Sequence, residues 1–326
     1  RAMADLIRHR GPDGEGYFAD ARAALGHRRL AIIDPDGGAQ PMFNEDATLA
    51  VVFNGEIYNY QALRAELQAL GHTFATDSDT EVLLHGYEAW GAVLPRHLRG
   101  MFAFAIWDSA AGRLFCARDL FGIKPLCYYR RSGTLLFASE SKAFLAHPAF
   151  EKRLNEAVLA DWLSIEYLPG TETMLAGVYE LPPAHTLTWK DGKLTIERYE
   201  SLRFAPCHGR GLRAWAGEIG TALAESAAAH SIADVEVGCF LSGGVDSSLV
   251  AREMARRQPA VQCFSVGYAE AAYSELPAAR AAAAALGVPL TETTVTAEDF
   301  FAANRAIQWY LDEPMPNPAE IPLYFL

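Results

Sequence analysis

The stretch Phe240-Leu241-Ser242-Gly243-Gly244-Val245-Asp246-Ser247-Ser248 lies between an apolar run, Val235–Leu241, and a helix-patterned segment, Ser248–Arg257. Two adjacent glycines let the backbone turn tightly and approach a ligand. The N–H groups that follow lie at the positive end of a helix, an arrangement that holds phosphate oxygens without a lysine. Ser242, Ser247 and Ser248 add hydroxyl donors. Asp246 would be repelled by a phosphate, so its natural role is to hold a Mg²⁺ that bridges phosphates. The chain contains no GxxxxGK(S/T) string, which excludes a Walker-type site.

On either side of this loop, strand-like and helix-like segments alternate. A helix is expected over Arg213–His230, a strand over Val261–Gly267 and an alanine-rich helix over Pro277–Leu286. Such β-loop-α alternation predicts a parallel sheet with crossover helices. The serine-glycine string resembles the pyrophosphate loop of the ATP pyrophosphatases, which activate a substrate by adenylation. The resemblance implies that Ser242, Gly243, Gly244, Asp246, Ser247 and Ser248 cradle the pyrophosphate part of ATP. It also implies that backbone near Phe240 and Val266 holds the adenine.

Upstream, Arg203–Leu212 is short, polar and Gly/Pro-containing, and reads as a linker. Before it the pattern differs. Leu49–Phe53 reads as a strand ending in a turn at Asn54-Gly55. Asn59 is a candidate cap for a helix from Tyr60, with Leu63, Leu67 and Leu70 at helical spacing and Gly71 as its stop. Asp79 is expected to open a second helix that ends at Trp90-Gly91. Short apolar runs at Met101–Trp107, Arg113–Ala117, Leu126–Arg130 and Leu135–Ala138, separated by Gly112, Gly122 and Gly133, predict an antiparallel meander. A helix over Asn155–Ile165 and Pro-rich turns at Pro169 and Pro182-Pro183 complete a region of helices packed on antiparallel sheet.

Three strings in this region belong together: Arg8-His9-Arg10-Gly11-Pro12-Asp13-Gly14, His27-Arg28-Arg29-Leu30 and Asn54-Gly55-Glu56-Ile57-Tyr58-Asn59, with Asp79 in Ser78-Asp79-Thr80-Glu81. Their order and spacing resemble the class II glutamine amidotransferases, which are N-terminal-nucleophile hydrolases with an α-β-β-α fold. The resemblance implies an oxyanion hole from the Asn54 side chain and the Gly55 N–H. It implies further that Arg29 takes the carboxylate of glutamine and that Asp79 and Glu56 take its ammonium. His9, His27 and Arg118-Asp119 are read as scaffold. The family's nucleophile is a cysteine at the mature N-terminus, with its own α-amine as base. No cysteine precedes Cys116 here, so the chain as it stands is not expected to hydrolyse glutamine.

Composition narrows the possibilities further. The formal net charge of −12 argues against a nucleic-acid or anionic-membrane binder. No apolar run is long enough to cross a bilayer and no signal peptide is visible. Cys116, Cys127, Cys207, Cys239 and Cys263 include no CxxC pair and read as free, mostly buried thiols of a cytoplasmic protein. The initial Arg1 and the apolar close Leu323–Leu326 predict a fragment cut inside domains at both ends.

The whole therefore reads as a two-domain α/β chain. Residues 1–202 form an antiparallel amidotransferase domain, 203–212 a linker and 213–326 a parallel-sheet ATP pyrophosphatase domain. This layout resembles the asparagine synthetase B type. What it implies is glutamine-fed, ATP- and Mg²⁺-dependent amidation of aspartate through an acyl-adenylate, in a family that is often dimeric. Asp312-Glu313-Pro314 fits the family without an assigned role. Rival readings are a relative that adenylates another carboxylic acid or closes a β-lactam, a sugar-phosphate amidotransferase, and a non-catalytic ATP-sensing scaffold. The intact serine-glycine loop weighs against the last two.

Overall fold

Within the strand Leu49–Ile57, residues 49–53 are buried on both faces, which is why they read as a continuous apolar run rather than an alternating one. In the computed structural model, which describes residues 1–314, 317 and 319–326, this strand is part of a six-stranded antiparallel sheet. The sheet order is Lys193–Arg198, His185–Lys190, Arg113–Arg118, Gly100–Asp108, Leu49–Ile57, Met42–Phe43. The side chains of a strand alternate between faces. Leu49, Val51, Phe53 and Ile57 therefore pack against Leu63 and Leu67 of the helix Tyr60–Ala69 and Val82, Leu83 and Tyr87 of the helix Glu81–Trp90. Ala50 and Val52, with Ala103, Ala105 and Trp107 from the neighbouring strand, instead face Leu126, Tyr128 and Leu181.

Tyr128 belongs to a second antiparallel sheet, ordered Thr134–Ala138, Cys127–Arg131, Val178–Glu180. Its neighbours Cys127 and Tyr129 point the other way, onto Phe144 of the 3₁₀ turn Ser141–Ala146 and Met3 of the short helix Ala2–Leu6. The layers thus run helix, sheet, sheet, helix, which is the α-β-β-α order expected. A separate hairpin pairs Gly14–Ala19 with Ala24–Arg29.

Several local expectations need correction. Asn54-Gly55 is not a turn, because the strand continues through it with Asn54 opposite Ala103 and Gly55 opposite Phe102. Gly55 is required for a different reason: its φ is +153°, and a Cβ there would overlap the Met101 carbonyl and Phe102 backbone. The expected meander is two sheets, because the chain turns away at Asp119 between Arg113–Arg118 and Cys127–Arg131. Asn59 precedes its helix without capping it; its side chain donates to the His97 carbonyl and accepts the Arg99 N–H. Leu70 is exposed rather than on the buried stripe of that helix, since the helix ends at Ala69. The second helix opens at Glu81, not at Asp79. The helix expected over Asn155–Ile165 is a 3₁₀ turn Glu156–Val158 followed by a short helix Leu159–Ile165, and strands at Val178–Glu180, His185–Lys190 and Lys193–Arg198, not named from the sequence, lie around the turn at Pro182-Pro183.

The chain folds as two compact units, Arg1–Arg203 and Phe204–Leu326. The second unit carries three parallel strands in the order Cys239–Phe240, Cys263–Tyr268, Leu290–Val295. The helices Leu212–His230, Val245–Arg257 and Leu276–Leu286 accompany them. Leu241, Ala251, Met254, Val261, Cys263 and Ala283 form its core. The first of these strands is shorter than Val235–Leu241, because Val235 is exposed and pairing is confined to Cys239 and Phe240. The helix after the loop starts earlier than Ser248: Ser248 already donates its N–H to the Gly244 carbonyl. Among the described residues no helix is long and apolar enough to cross a membrane.

Candidate active sites

A cavity of about 800 Å³ opens in the first unit, and Arg29, Asn54, Gly55, Glu56 and Asp79 all line it. They come from separate places in the chain: the end of the hairpin strand Ala24–Arg29, the central strand Leu49–Ile57, and the Ser78–Thr80 segment before the helix Glu81–Trp90. Because Asn54 follows Ala50 and Val52 at a spacing of two, it shares their side of the strand. Its Nδ2 is buried and has no hydrogen-bond partner among the described residues. Leaving such a donor unsatisfied costs about 1–3 kcal/mol, so a native structure keeps one only for a reason.

Asp79 is buried, and its Oδ2 accepts the Ile57 N–H at 2.9 Å. Burial pushes its carboxyl up to about 7, with the Glu56 carboxylate adding to the rise, while the Ile57 bond and Arg29 partly offset it. A cation placed between Asp79 and Glu56 would relieve this penalty. Arg29 is less free than its sequence context suggests. Its Nη1 donates to the Pro35 carbonyl at 2.6 Å, and its Nη2 to the carbonyls of Ile33 at 3.1 Å and Asp34 at 2.6 Å. A guanidinium carries five N–H donors, so Nε–H and one Nη1–H remain for a ligand. The same loop is tied to the Asp79 segment, because Asp34 Oδ2 accepts the Asp77 N–H at 2.9 Å.

His27 also lines the cavity, where burial and the Arg29 charge push its imidazole down to about 4, so it stays neutral. His9 and Arg10 both bind the Glu140 carboxylate. Asp119 acts as scaffold in a specific way: fully buried, it accepts the N–H groups of Phe102, Phe121, Ile123 and Lys124 at 2.9–3.1 Å. One consequence was not visible in the sequence. The Lys124 side chain is delivered into the cavity, with burial pushing its ammonium down and Glu56 opposing that shift. The signal was the Arg118–Leu126 string itself, which reads as packing because its lysine is held by a turn rather than by a helix or strand.

In the second unit, Leu241 to Gly244 leave the C-terminal end of a parallel strand and enter the helix Val245–Arg257, with Gly244 as its N-cap. Gly243 has φ +81°, and a Cβ there would overlap the Ala278 carbonyl of the helix Leu276–Leu286. The loop is braced internally: Ser242 Oγ lies 3.0 Å from Ser247 Oγ, the Gly244 N–H donates to Ser242 Oγ at 3.3 Å, and Ser247 Oγ donates to the Gly244 carbonyl at 3.3 Å. Asp246 is exposed in the first helical turn, beside Ser247 and Ser248. Phe240 is exposed at the strand end, and Val266 lies half-buried in the neighbouring strand, beyond Phe264, the register partner of Phe240. Asp312 ends the helix Ala297–Leu311 in a left-handed conformation, φ +63°, with Glu313 and Pro314 after it.

The family described as glutamine amidotransferase domain matches residues 1–200, and the family described as asparagine synthase matches residues 218–326. A Bacillus subtilis protein named asparagine synthetase (glutamine-hydrolyzing) 1 is 40% identical over 327 residues, covering 100% of this chain and 51% of that protein. A Methanocaldococcus jannaschii protein named putative asparagine synthetase (glutamine-hydrolyzing) 2 is 30% identical over 348 residues, covering 99% of this chain and 66% of that protein. A Gibberella zeae protein named amidase chry2 is 32% identical over 335 residues, covering 96% of this chain and 49% of that protein. The chain spans about half the length of most of these curated relatives.

Proposed function

Because the chain belongs to the glutamine-hydrolysing asparagine synthetase family, we propose that its protein moves nitrogen from glutamine to the side-chain carboxyl of aspartate, driven by ATP. The observation that carries the first half of this reading is the orphaned Asn54 Nδ2 beside Asp79, Glu56 and Arg29 in one cavity. Glutamine offers a complement to each group. Its ammonium meets Asp79 and Glu56, its carboxylate takes the two remaining Arg29 donors, and its amide oxygen reaches Asn54. As the amide carbon is attacked, its oxygen gains negative charge, and a donor already aimed at that oxygen stabilises the transition state more than the ground state. None of the five cysteines lines the cavity, and burial pushes the Cys116 thiol up, so these residues bind and polarise the amide without supplying the nucleophile.

For the second half, Gly243 lets the loop pack closely against Ala278, and the helix Val245–Arg257 begins at Gly244 with no side-chain cap, a helix start of the kind that suits a pyrophosphate group. Ser242, Ser247 and Ser248 add hydroxyl donors, with Phe240 and Val266 flanking the adenine position. Mg²⁺ would be held by Asp246 and would neutralise phosphate charge. Adenylation suits the chemistry, since a carboxylate resists attack by ammonia until its oxygen is converted to a good leaving group. ATP, glutamine and aspartate are thus the proposed small-molecule partners, with no nucleic acid and no membrane among them.

The test uses the complete protein with ATP, Mg²⁺ and aspartate, plus glutamine or ammonium, and detects asparagine, AMP and pyrophosphate. Asparagine from both nitrogen sources is the expected result, with Asp246→Asn lowering both rates. AMP formed only with other carboxylic acids would overturn the aspartate assignment. The amidase chry2 relative makes that the specific second reading.

A further inference from the structure

We propose that His72, His85 and Glu88 form a binding site for a divalent metal ion of the zinc class. Their ligand atoms lie within 4.8 Å of one another, the one such group among the described residues. The proposal does not depend on the reading of the glutamine cavity, which none of the three lines.

His85 and Glu88 stand three residues apart on the helix Glu81–Trp90 and so share a face. His72 comes from the connection after the helix Tyr60–Ala69. Glu88 Oε2 lies 3.1 Å from His85 Nδ1 and 3.3 Å from His72 Nδ1. Ligands bound at about 2.0–2.1 Å to a tetrahedral ion sit about 3.3 Å apart, so two of the three edges already have the required length. A small rotation of the partly exposed His72 ring closes the third.

What surrounds the three residues fixes them as ligands. Asn44 Nδ2 donates to Glu88 Oε1 at 2.8 Å, which turns Oε2 toward the imidazoles. Behind His85, the Glu81 carboxylate lies 3.6 Å from Nε2. That carboxylate is itself held by the Ala75 and Thr76 N–H groups at 2.7 and 2.8 Å and by Thr76 Oγ1 at 2.6 Å. A carboxylate behind a histidine keeps the proton on the far nitrogen and leaves the near one to bind metal. Phe74 packs edge-on against the His85 ring, with centroids 4.6 Å apart. His85 is 2% exposed, whereas the side chains of His72 and Glu88 are 21% and 27% exposed, so an ion can enter and a water can complete the shell. Two imidazoles and one carboxylate suit zinc-class ions, whereas Mg²⁺ and Ca²⁺ prefer all-oxygen sets. A bound ion would fasten together the two ends of residues 72–88, the segment that carries Asp79.

Cobalt(II) alone is the probe, titrated into the complete protein after treatment with a chelator. The expected result is one equivalent bound with the visible absorption of a four-coordinate nitrogen/oxygen site, displaced by Zn²⁺. His72→Asn and Glu88→Gln should each weaken binding by at least about tenfold, and Glu81→Gln, acting behind His85, by about tenfold. Circular dichroism should be unchanged in the first two, since His72 and Glu88 are partly exposed. The proposal is overturned if no cobalt binds, if binding is indifferent to both His72→Asn and Glu88→Gln, or if the spectrum shows sulfur-to-cobalt charge transfer.

Discussion

Replacing Asp79 with asparagine should make the first unit more stable at neutral pH while destroying its affinity for glutamine. The carboxyl shifts from 3.8 to about 7, chiefly through burial. At 1.36 kcal/mol per unit, a rise of about 3 units corresponds to about 4 kcal/mol of penalty on the ionised form. The sign follows from proton counts. Between the unfolded value and about 7 the folded protein holds a proton that the unfolded chain has lost, so stability falls as pH rises across that window and levels off above it. The asparagine side chain cannot ionise, yet its oxygen can still accept the Ile57 N–H. The assay is urea unfolding of wild type and Asp79→Asn from about pH 5 to about pH 8, followed by near-ultraviolet circular dichroism; differences between the two proteins cancel the titration of every other group. The variant should gain on the wild type progressively up to about pH 7, by about 3 kcal/mol across the assayed range. Glutamine binding by the wild type should strengthen over the same window, because an ammonium draws the carboxyl back to its ionised form. Parallel stability curves for the two proteins would refute the assignment of a buried, proton-holding Asp79.

Other substitutions separate binding from packing. Asn54→Ala removes a donor that already lacks a partner, so the melting temperature of the first unit should hold or rise, while glutaminase turnover in the complete protein should fall by about 10²–10³-fold. Asp119→Asn turns an acceptor of four N–H groups into a partial donor facing them, and the urea midpoint should fall by the equivalent of about 3 kcal/mol. Gly243→Ala combines an unfavourable positive φ with overlap on Ala278, and should destabilise the second unit by about 2 kcal/mol or more and abolish ATP-dependent pyrophosphate exchange.

What the sequence disclosed follows from how local each feature is. The serine-glycine loop is legible because its chemistry resides in consecutive residues, and its helix and strand flanks bury in simple patterns. Residues 49–53 are legible as a strand because both faces are buried. Asn54-Gly55 is not, since the same dipeptide suits a hairpin turn or a strand, and only pairing with Phe102 and Ala103 decides between them. The strand Gly14–Ala19 escapes notice because its half-buried, partly charged pattern has no clear alternation. The four runs from Met101 to Ala138 are legible as strands, but their division between two sheets depends on Asp119 gathering amides from both sides of the break. In the same way, the sequence brings Arg29 to the site but cannot show that three of its donors already serve Ile33, Asp34 and Pro35.

Over residues 49–53 the strand Leu49–Ile57 divides its odd and even positions between two separate cores and has no face left for solvent. A change in length behaves differently there from a change of side chain. Deleting or inserting one residue between Leu49 and Phe53 would exchange the two sets along the shifted part. Phenylalanine would be driven into the space shaped for alanine and valine, and Asn54 would turn away from the cavity into the packed side of the helices. Substitutions in this strand can accumulate one at a time across a lineage, but insertions and deletions cannot. Relatives that keep this cavity should therefore differ in length only in the loops on either side of it.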